Sequence, residues 1–240
     1  MQDRFESVLE AHAARYPAMM PQDYGKLAYQ HVFGPEHLVK DAQAVDRLLQ
    51  EEWETLRPDP DGVFRAEPIG NGLCRLHLAG PWDPTAGKLL GELFCRTARE
   101  HSGTAAELAE RLELLQSCPV PGMRDWLADY RAAGCPAVHH SEPFRKAYHP
   151  HYRVLAADYA HYFPALLALH RQLAEKGRIV VAVDGPVRRT GRRSPAGIWT
   201  SPGSGRRCCC RPGGARRSSI ALLTAGARPF WMHSRCPAVR

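Results

Sequence analysis

The chain has 240 residues, 44% of them apolar and 24% charged, with a formal charge of +7. This composition excludes a disordered polymer and fits one large or two small folded domains. No apolar run approaches the roughly 18 to 20 residues that a membrane helix needs, and the acidic amphipathic start MQDRFESVLEAHAARYP is unlike a secretory signal, so the expected location is cytoplasmic.

Three helices are expected in the first 60 residues. Phe5, Val8, Leu9 and Ala13 recur at helical spacing, and Met20-Pro21-Gln22-Asp23 breaks and restarts the chain. Leu27, Ala28, Val32 and Phe33 form the apolar side of a short second helix stopped by Gly34-Pro35. Leu38, Ala42, Val45, Leu48 and Leu49 continue as a third until Pro58-Asp59-Pro60. The runs VFRAEPI and LCRLHLA flank Gly70-Asn71-Gly72, which predicts a β-hairpin over 63–79. Helical periodicity returns over 84–100, 103–117 and 121–133. Ser141 is placed to cap a helix over 142–148, and 151–175 reads as one long helix with Pro164 as a kink or restart. The run Arg178-Ile-Val-Val-Ala-Val-Asp184-Gly185 is continuous, apolar and β-branched, the pattern of a buried parallel strand.

Charge divides at the end of that strand. Residues 1–184 carry 20 Lys or Arg against 25 Asp or Glu, whereas 185–240 carry 12 Arg, no Lys and no acid. Three readings of this tail are open: a nucleic-acid arm, a plain flexible tail, and translation out of frame from GC-rich DNA. The first is the weakest, because phosphate-binding arms usually keep Lys and rarely carry Trp199, Phe230, Trp231 and the Cys triplet at 208–210. Cys74, Cys95, Cys118 and Cys135 are widely spaced with no Cys-x-x-Cys pair, so they read as single thiols rather than a disulfide framework or a zinc site.

An apolar strand running into a glycine loop is how phosphate-binding loops begin, with backbone N–H groups and a Lys cradling the phosphates. The pattern requires Gly, four residues, then Gly-Lys-Ser/Thr. Here Gly185 is followed by Pro186-Val187-Arg188-Arg189-Thr190-Gly191-Arg192-Arg193-Ser194, so the Lys is missing and the second Gly is one place late. One codon choice for Thr190–Ser194, shifted by two bases, reads Gly-Lys-Thr-Val at the required spacing, which favours the out-of-frame reading of the tail.

The entry to this loop, with Tyr162-Phe163-Pro164 and a helix ahead of it, resembles the uridine kinase-like P-loop nucleoside kinases over about 30 residues. That resemblance implies bound ATP and Mg2+, a nucleoside or similar small hydroxyl compound as partner, and phosphoryl transfer by positioning and charge stabilisation. It implies a nucleotide-binding role for Gly185 as the first loop glycine, with Gly191 and Arg192 as imperfect stand-ins for Gly-Lys, while Asp184 is open between a place near the magnesium or substrate and a plain turn-forming Asp. Arg has the charge of Lys, but its planar fork does not fit where a slender ammonium threads between phosphates. No carboxylate side chain follows Asp184 to hold Mg2+ or activate a hydroxyl, so this chain is expected to be inactive as a kinase.

Residues 1–155 resemble a bacterial helical module that occurs alone or ahead of such kinases, with no assigned chemistry. The matching segments are Tyr16-Pro17-x-Met19, Pro21-Gln22-Asp23-x-x-Lys26-Leu27-x-Tyr29-Gln30, Phe33-Gly34-Pro35-Glu36-His37-Leu38, His139-His140-Ser141 and Tyr148-x-Pro150-x-Tyr152-Arg153-Val154. Within it, Gln30, Glu36, His37, His139, His140 and Tyr148 are the candidate pocket. Structural histidines, a pocket for a small polar ligand, and acid–base or metal chemistry are all open there. His31 and His37 lie six apart across a Gly-Pro break, unlike a helical zinc pair, and no metal site is assigned. Tyr24, Tyr29, Tyr148 and Tyr152 read as aromatics at the edge of the core.

The expected architecture is therefore a mainly α N-terminal module with one β-hairpin over 1–155 and a linker helix over 156–176. An incomplete α/β P-loop fragment follows over 177–194, and then an irregular, out-of-frame basic tail over 195–240. A non-enzymatic module that binds a ligand or partner through 1–155 is the alternative function.

Overall fold

Helices dominate a mixed α/β architecture in the computed structural model of the chain, which describes residues 4–35, 42–56, 62–185 and 217–224. The chain divides into two units, 1–170 and 171–240. In the first unit come α1 (Phe5–Arg15), α2 (Pro21–Phe33), α3 (Ala42–Glu54), β1 (Arg65–Gly70) and β2 (Leu73–His77). They are followed by α4 (Pro84–Glu100), α5 (Ala105–Gln116), α6 (Met123–Ala132), α7 (Glu142–Tyr148), β3 (Tyr152–Ala156) and the greater part of α8 (Ala157–Lys176).

Local sequence explains most of these boundaries. Pro21 opens α2 where a missing N–H costs nothing. Asp83 caps α4 by accepting from the Thr85 N–H at 2.8 Å, and Thr104 and Glu107 cap α5 reciprocally. Ser141 caps α7 as expected, accepting from the Phe144 N–H at 3.3 Å. The hairpin turn also forms at Gly70-Asn71-Gly72, all three with positive φ.

The hairpin has a third strand. β3 pairs antiparallel with β2, giving a sheet of order β1-β2-β3. The expected helix over 151–175 is thus corrected: its first five residues are β3, and α8 starts only at Ala157. Tyr-Arg-Val-Leu-Ala is short and alternating, so it satisfies a strand once β2 offers a free edge, a non-local effect that helical periodicity cannot register.

Each face of this sheet is covered. The two-residue period sends Cys74, Leu76 and Leu155 to one side, where Val45, Leu49 and Trp53 of α3, Leu89, Leu90 and Phe94 of α4 and Ala160, Phe163 and Leu167 of α8 complete a core. The other side takes Ile69, Leu73 and Val154 against α1, α2, α5, α6 and α7. Because Phe163 and Leu167 are buried in the first core, α8 is part of this unit up to about residue 170 rather than a linker beginning after 155.

In the second unit, β4 (Arg178–Gly185) forms over the residues expected, but it pairs antiparallel with β5 (Arg217–Thr224), in register from Arg178 opposite Thr224 to Gly185 opposite Arg217. The expectation of a buried parallel strand is corrected on both counts: the partner is antiparallel, and Val180 is 65% exposed while Ile179 is buried. The stretch Ser-Ser-Ile-Ala-Leu-Leu-Thr is itself a β-forming run, so it offers a partner within a segment expected to be irregular. Among the described residues, no helix is long and apolar enough to cross a membrane.

Candidate functional site

The sheet face turned toward α1 and α2 is not wholly apolar. Glu67 of β1, Arg75 and His77 of β2 and Tyr152 of β3 share it with Ile69, Leu73 and Val154, as the two-residue period requires. Cross-strand register sets Glu67 directly opposite Arg75, and His77 opposite Tyr152. From α2, residues 23, 26 and 30 lie at i, i+3 and i+7, one helix face, and bring Asp23, Lys26 and Gln30 to the same place.

These groups form one directed hydrogen-bond chain. Arg75 donates from Nε (3.0 Å) and Nη2 (2.8 Å) to Gln30 Oε1, and Gln30 Nε2 donates to the Tyr152 hydroxyl at 3.4 Å. The Tyr152 hydroxyl reaches His140 Nε2 at 2.6 Å, and His140 Nδ1 reaches Asp23 Oδ1 at 2.8 Å. An ionised Asp23 can only accept, so it fixes the proton of neutral His140 on Nδ1 and leaves Nε2 to accept from Tyr152. With the Tyr152 proton on the shorter contact, to His140 at 2.6 Å rather than to Gln30 Oε1 at 3.5 Å, the donors of the chain point from the guanidinium toward the Asp23 carboxylate, an arrangement in which each bond polarises the next. The guanidinium also lies over the Tyr152 ring at 4.8 Å.

Each carboxylate anchors a hub. Asp23 is wholly buried and accepts further bonds from the Met20 N–H (2.9 Å), the Ser141 N–H (3.0 Å) and the Ser141 hydroxyl (2.5 Å). Burial alone would raise its carboxyl, but His140, Ser141 and the two backbone donors outweigh burial and hold it below the usual range. Glu67 accepts from the Tyr16 hydroxyl at 2.7 Å and faces His77 at 3.3 Å, Arg15 at 3.5 Å, His12 at 3.6 Å and Arg75 at 3.7 Å. Burial again opposes the outcome, and the His12 and His77 imidazoles with the Arg75 charge hold Glu67 well below the carboxylate range. Burial pushes His140 down to about 4, with the Arg75 and Lys26 charges adding to it against the pull of Asp23. Burial also raises the Tyr152 hydroxyl.

Lys26 stands beside this chain. It is half-buried, its Nζ donates to the Val138 carbonyl at 3.0 Å, and among the described residues no carboxylate lies within ion-pair distance of it. Burial and the Arg75 charge lower it to about 8.

Of the six candidate pocket residues, the structure brings Gln30 and His140 into this network. His139 is adjacent, but its carbonyl accepts from Gln22 Nε2 at 2.7 Å, and the residue helps line an open groove of about 430 Å³ with Trp126, Tyr130 and Pro136. Tyr148 lies apart from the chain: its hydroxyl accepts from the Ala18 N–H at 2.9 Å, and its ring packs on Tyr16 and Phe144. Glu36 and His37 lie outside the described residues, as do Gly191 and Arg192. Asp184 and Gly185 end β4, opposite Ser218 and Arg217. Sequence reasoning did not assign Asp23, Lys26, Glu67 or Arg75 to a site. The first two could have been found from their helical spacing to Gln30, and Arg75 from its place inside an apolar strand.

Among the described residues, no group of three or more His, Cys, Asp or Glu side chains could hold a metal ion. Comparison of the chain with family models, with curated proteins and with solved structures finds no match.

Proposed function

We propose that residues 4–170 form a recognition module for a small anionic compound, held where the buried network meets the surface. The observation that carries this reading is the continuous chain from Arg75 through Gln30, Tyr152 and His140 to Asp23, which is buried along most of its length yet passes through half-buried Tyr152 and beside half-buried Lys26. Arg15, Lys26 and Arg75 set against Asp23 and Glu67 leave one surplus positive charge, which favours an anion. The chain from Arg75 to Asp23 is held by internal bonds at every member, so it positions Lys26 and the Tyr152 hydroxyl without reorganising on binding. Inorganic phosphate and short carboxylates, tested by thermal unfolding of the full chain at constant ionic strength, are expected to raise the melting temperature above a chloride control, and Lys26→Met to abolish the rise. No rise with either anion class removes this reading.

A second reading is favoured by β4, which forms over 178–185, the residues that resemble the entry of a uridine kinase-like phosphate loop. On that reading the chain descends from an ATP-dependent nucleoside kinase, interrupted after Gly185. The residues present do not fit ATP and Mg2+: Arg192 stands near the required Lys, no carboxylate follows Asp184, and β4 has an antiparallel partner where a phosphate-loop strand has parallel ones. The nucleotide sequence across codons 183–200 tests the ancestry. Gly-Lys-Thr in a neighbouring frame is the expected result, and its absence from both other frames removes the kinase reading.

A further inference from the structure

Lysines are rarely buried without a partner, because an ammonium taken from water needs a counter-charge. Lys26 is half-buried, and the two carboxylates nearest in the network are already committed. Asp23 is engaged by His140, Ser141 and the Met20 N–H, and Glu67 by Tyr16, His77 and Arg75. Among the described residues the Lys26 amine has one hydrogen-bond partner, the Val138 carbonyl, which uses one of its three N–H groups. Burial first, and then the charge of its neighbour Arg75, disfavour the ammonium against the pull of Asp23 and so favour the neutral amine, the form that attacks electrophiles. One helical turn away on either side, Asp23 and Gln30 hold His140 and Tyr152, a proton acceptor and a proton donor already hydrogen-bonded to one another.

We propose that Lys26 captures a 2-oxo acid covalently, as an imine. This rests on the anion-recognition reading and names its ligand class: a carbonyl compound bearing a carboxylate. The lone pair of Nζ bonds to the carbonyl carbon while the C=O π pair moves to oxygen. That oxygen takes a proton and the nitrogen gives one up, leaving a neutral carbinolamine. The C–O bond then breaks, the departing hydroxyl is protonated to water, and the nitrogen, after losing its second proton, is joined to carbon by a double bond. Amine and carbonyl give imine and water, with no oxidant or reductant. The Tyr152–His140 pair supplies and accepts the protons. With its acidity at about 8, Lys26 is neutral in roughly one molecule in ten at pH 7, against well under one in a thousand for an ordinary lysine.

The test is reductive trapping. The full chain is mixed with pyruvate and borohydride at pH 7, and the sites of the reduced adduct are mapped by peptide mass spectrometry. Lys26 is expected to be modified at least about tenfold faster than the exposed Lys88 and Lys146. Lys26→Arg, checked for an unchanged melting temperature, should lose that fast site. Modification of Lys26 at the rate of the exposed lysines overturns the inference. A pyruvate-dependent rise in melting temperature without a trapped Lys26 adduct also overturns it but leaves anion recognition standing, whereas neither rise nor adduct removes both.

Discussion

Protonation of His140 should be a source of acid sensitivity in this fold. The imidazole is 8% exposed, its Nε2 is occupied by the Tyr152 hydroxyl, and burial with the Arg75 and Lys26 charges lowers it from 6.5 to about 4. In the unfolded chain it takes up a proton as the pH falls through 6.5, whereas in the folded chain it stays neutral until about pH 4. Over that window the unfolded state binds more protons, so stability falls as pH falls. Between pH 8 and pH 5 these two values give a loss of about 2 kcal/mol. Asp23 and Glu67, both depressed, act in the same direction but at lower pH, as they are protonated in the unfolded chain only near 3.8 and 4.5. The comparison that isolates His140 is His140→Gln, whose amide can donate to Asp23 and accept from Tyr152 without titrating. Urea unfolding at pH 8 and pH 5 should show the wild type losing about 2 kcal/mol more than the variant. Equal losses in the two proteins, or an NMR titration placing folded His140 at or above 6.5, would refute this account of the network.

Three further outcomes follow from the packing. Asp23→Ala leaves the Met20 N–H, the Ser141 N–H and hydroxyl and His140 Nδ1 without their acceptor, and is expected to cost about 3–5 kcal/mol in urea unfolding, an unchanged midpoint being the contrary result. Phe163→Ala is expected to cost about 3–5 kcal/mol, because Phe163 is wholly buried between Phe64 and the α4 side of the core; a chain ended after Leu155 should then melt without a cooperative transition, and a sharp melt would contradict the assignment of α8 to this unit. Gly103→Ala places a methyl 2.2 Å from the Val32 carbonyl oxygen and 2.7 Å from its carbon, a backbone clash expected to lower stability by about 1–3 kcal/mol, checked by the same unfolding midpoint.

Local periodicity made the helices legible, and the missing strand shows where it stops. The apolar spacing in α1, α2, α4, α5 and α6 is of the kind that a buried helix face produces regardless of what covers it, and Ser141 caps α7 through bonds three residues apart. β3 differs because Tyr152–Ala156 become a strand by bonding to Leu73–His77, some 79 residues earlier, and nothing within those five residues records that partner. β4 was legible as a strand for the same local reason as the helices, but its antiparallel partner at 217–224 was not. The site followed the same division. Gln30 and His140 were visible as polar residues in suggestive company, whereas Glu67 and Arg75 acquire meaning only once the hairpin register sets them face to face.

That register also bears on what the network is for. A buried Arg–Glu pair surrounded by Ile69, Leu73 and Val154 is seldom a net source of stability, since apolar side chains of the same volume would fill the space without the cost of desolvating two ions. The chain nevertheless commits Arg75, Gln30, Tyr152, His140 and Asp23 to a single line of donors and fixes the 138–141 segment to α2 through Gln22, Asp23 and Lys26. The consequence is positional: among the described residues Lys26 is held near Arg75 and His140 by a backbone carbonyl rather than by a carboxylate. A polar core that served packing alone would gain by pairing Lys26 with an acid, and an ammonium with no carboxylate at ion-pair distance among the described residues is the feature that a structural role leaves unaccounted for.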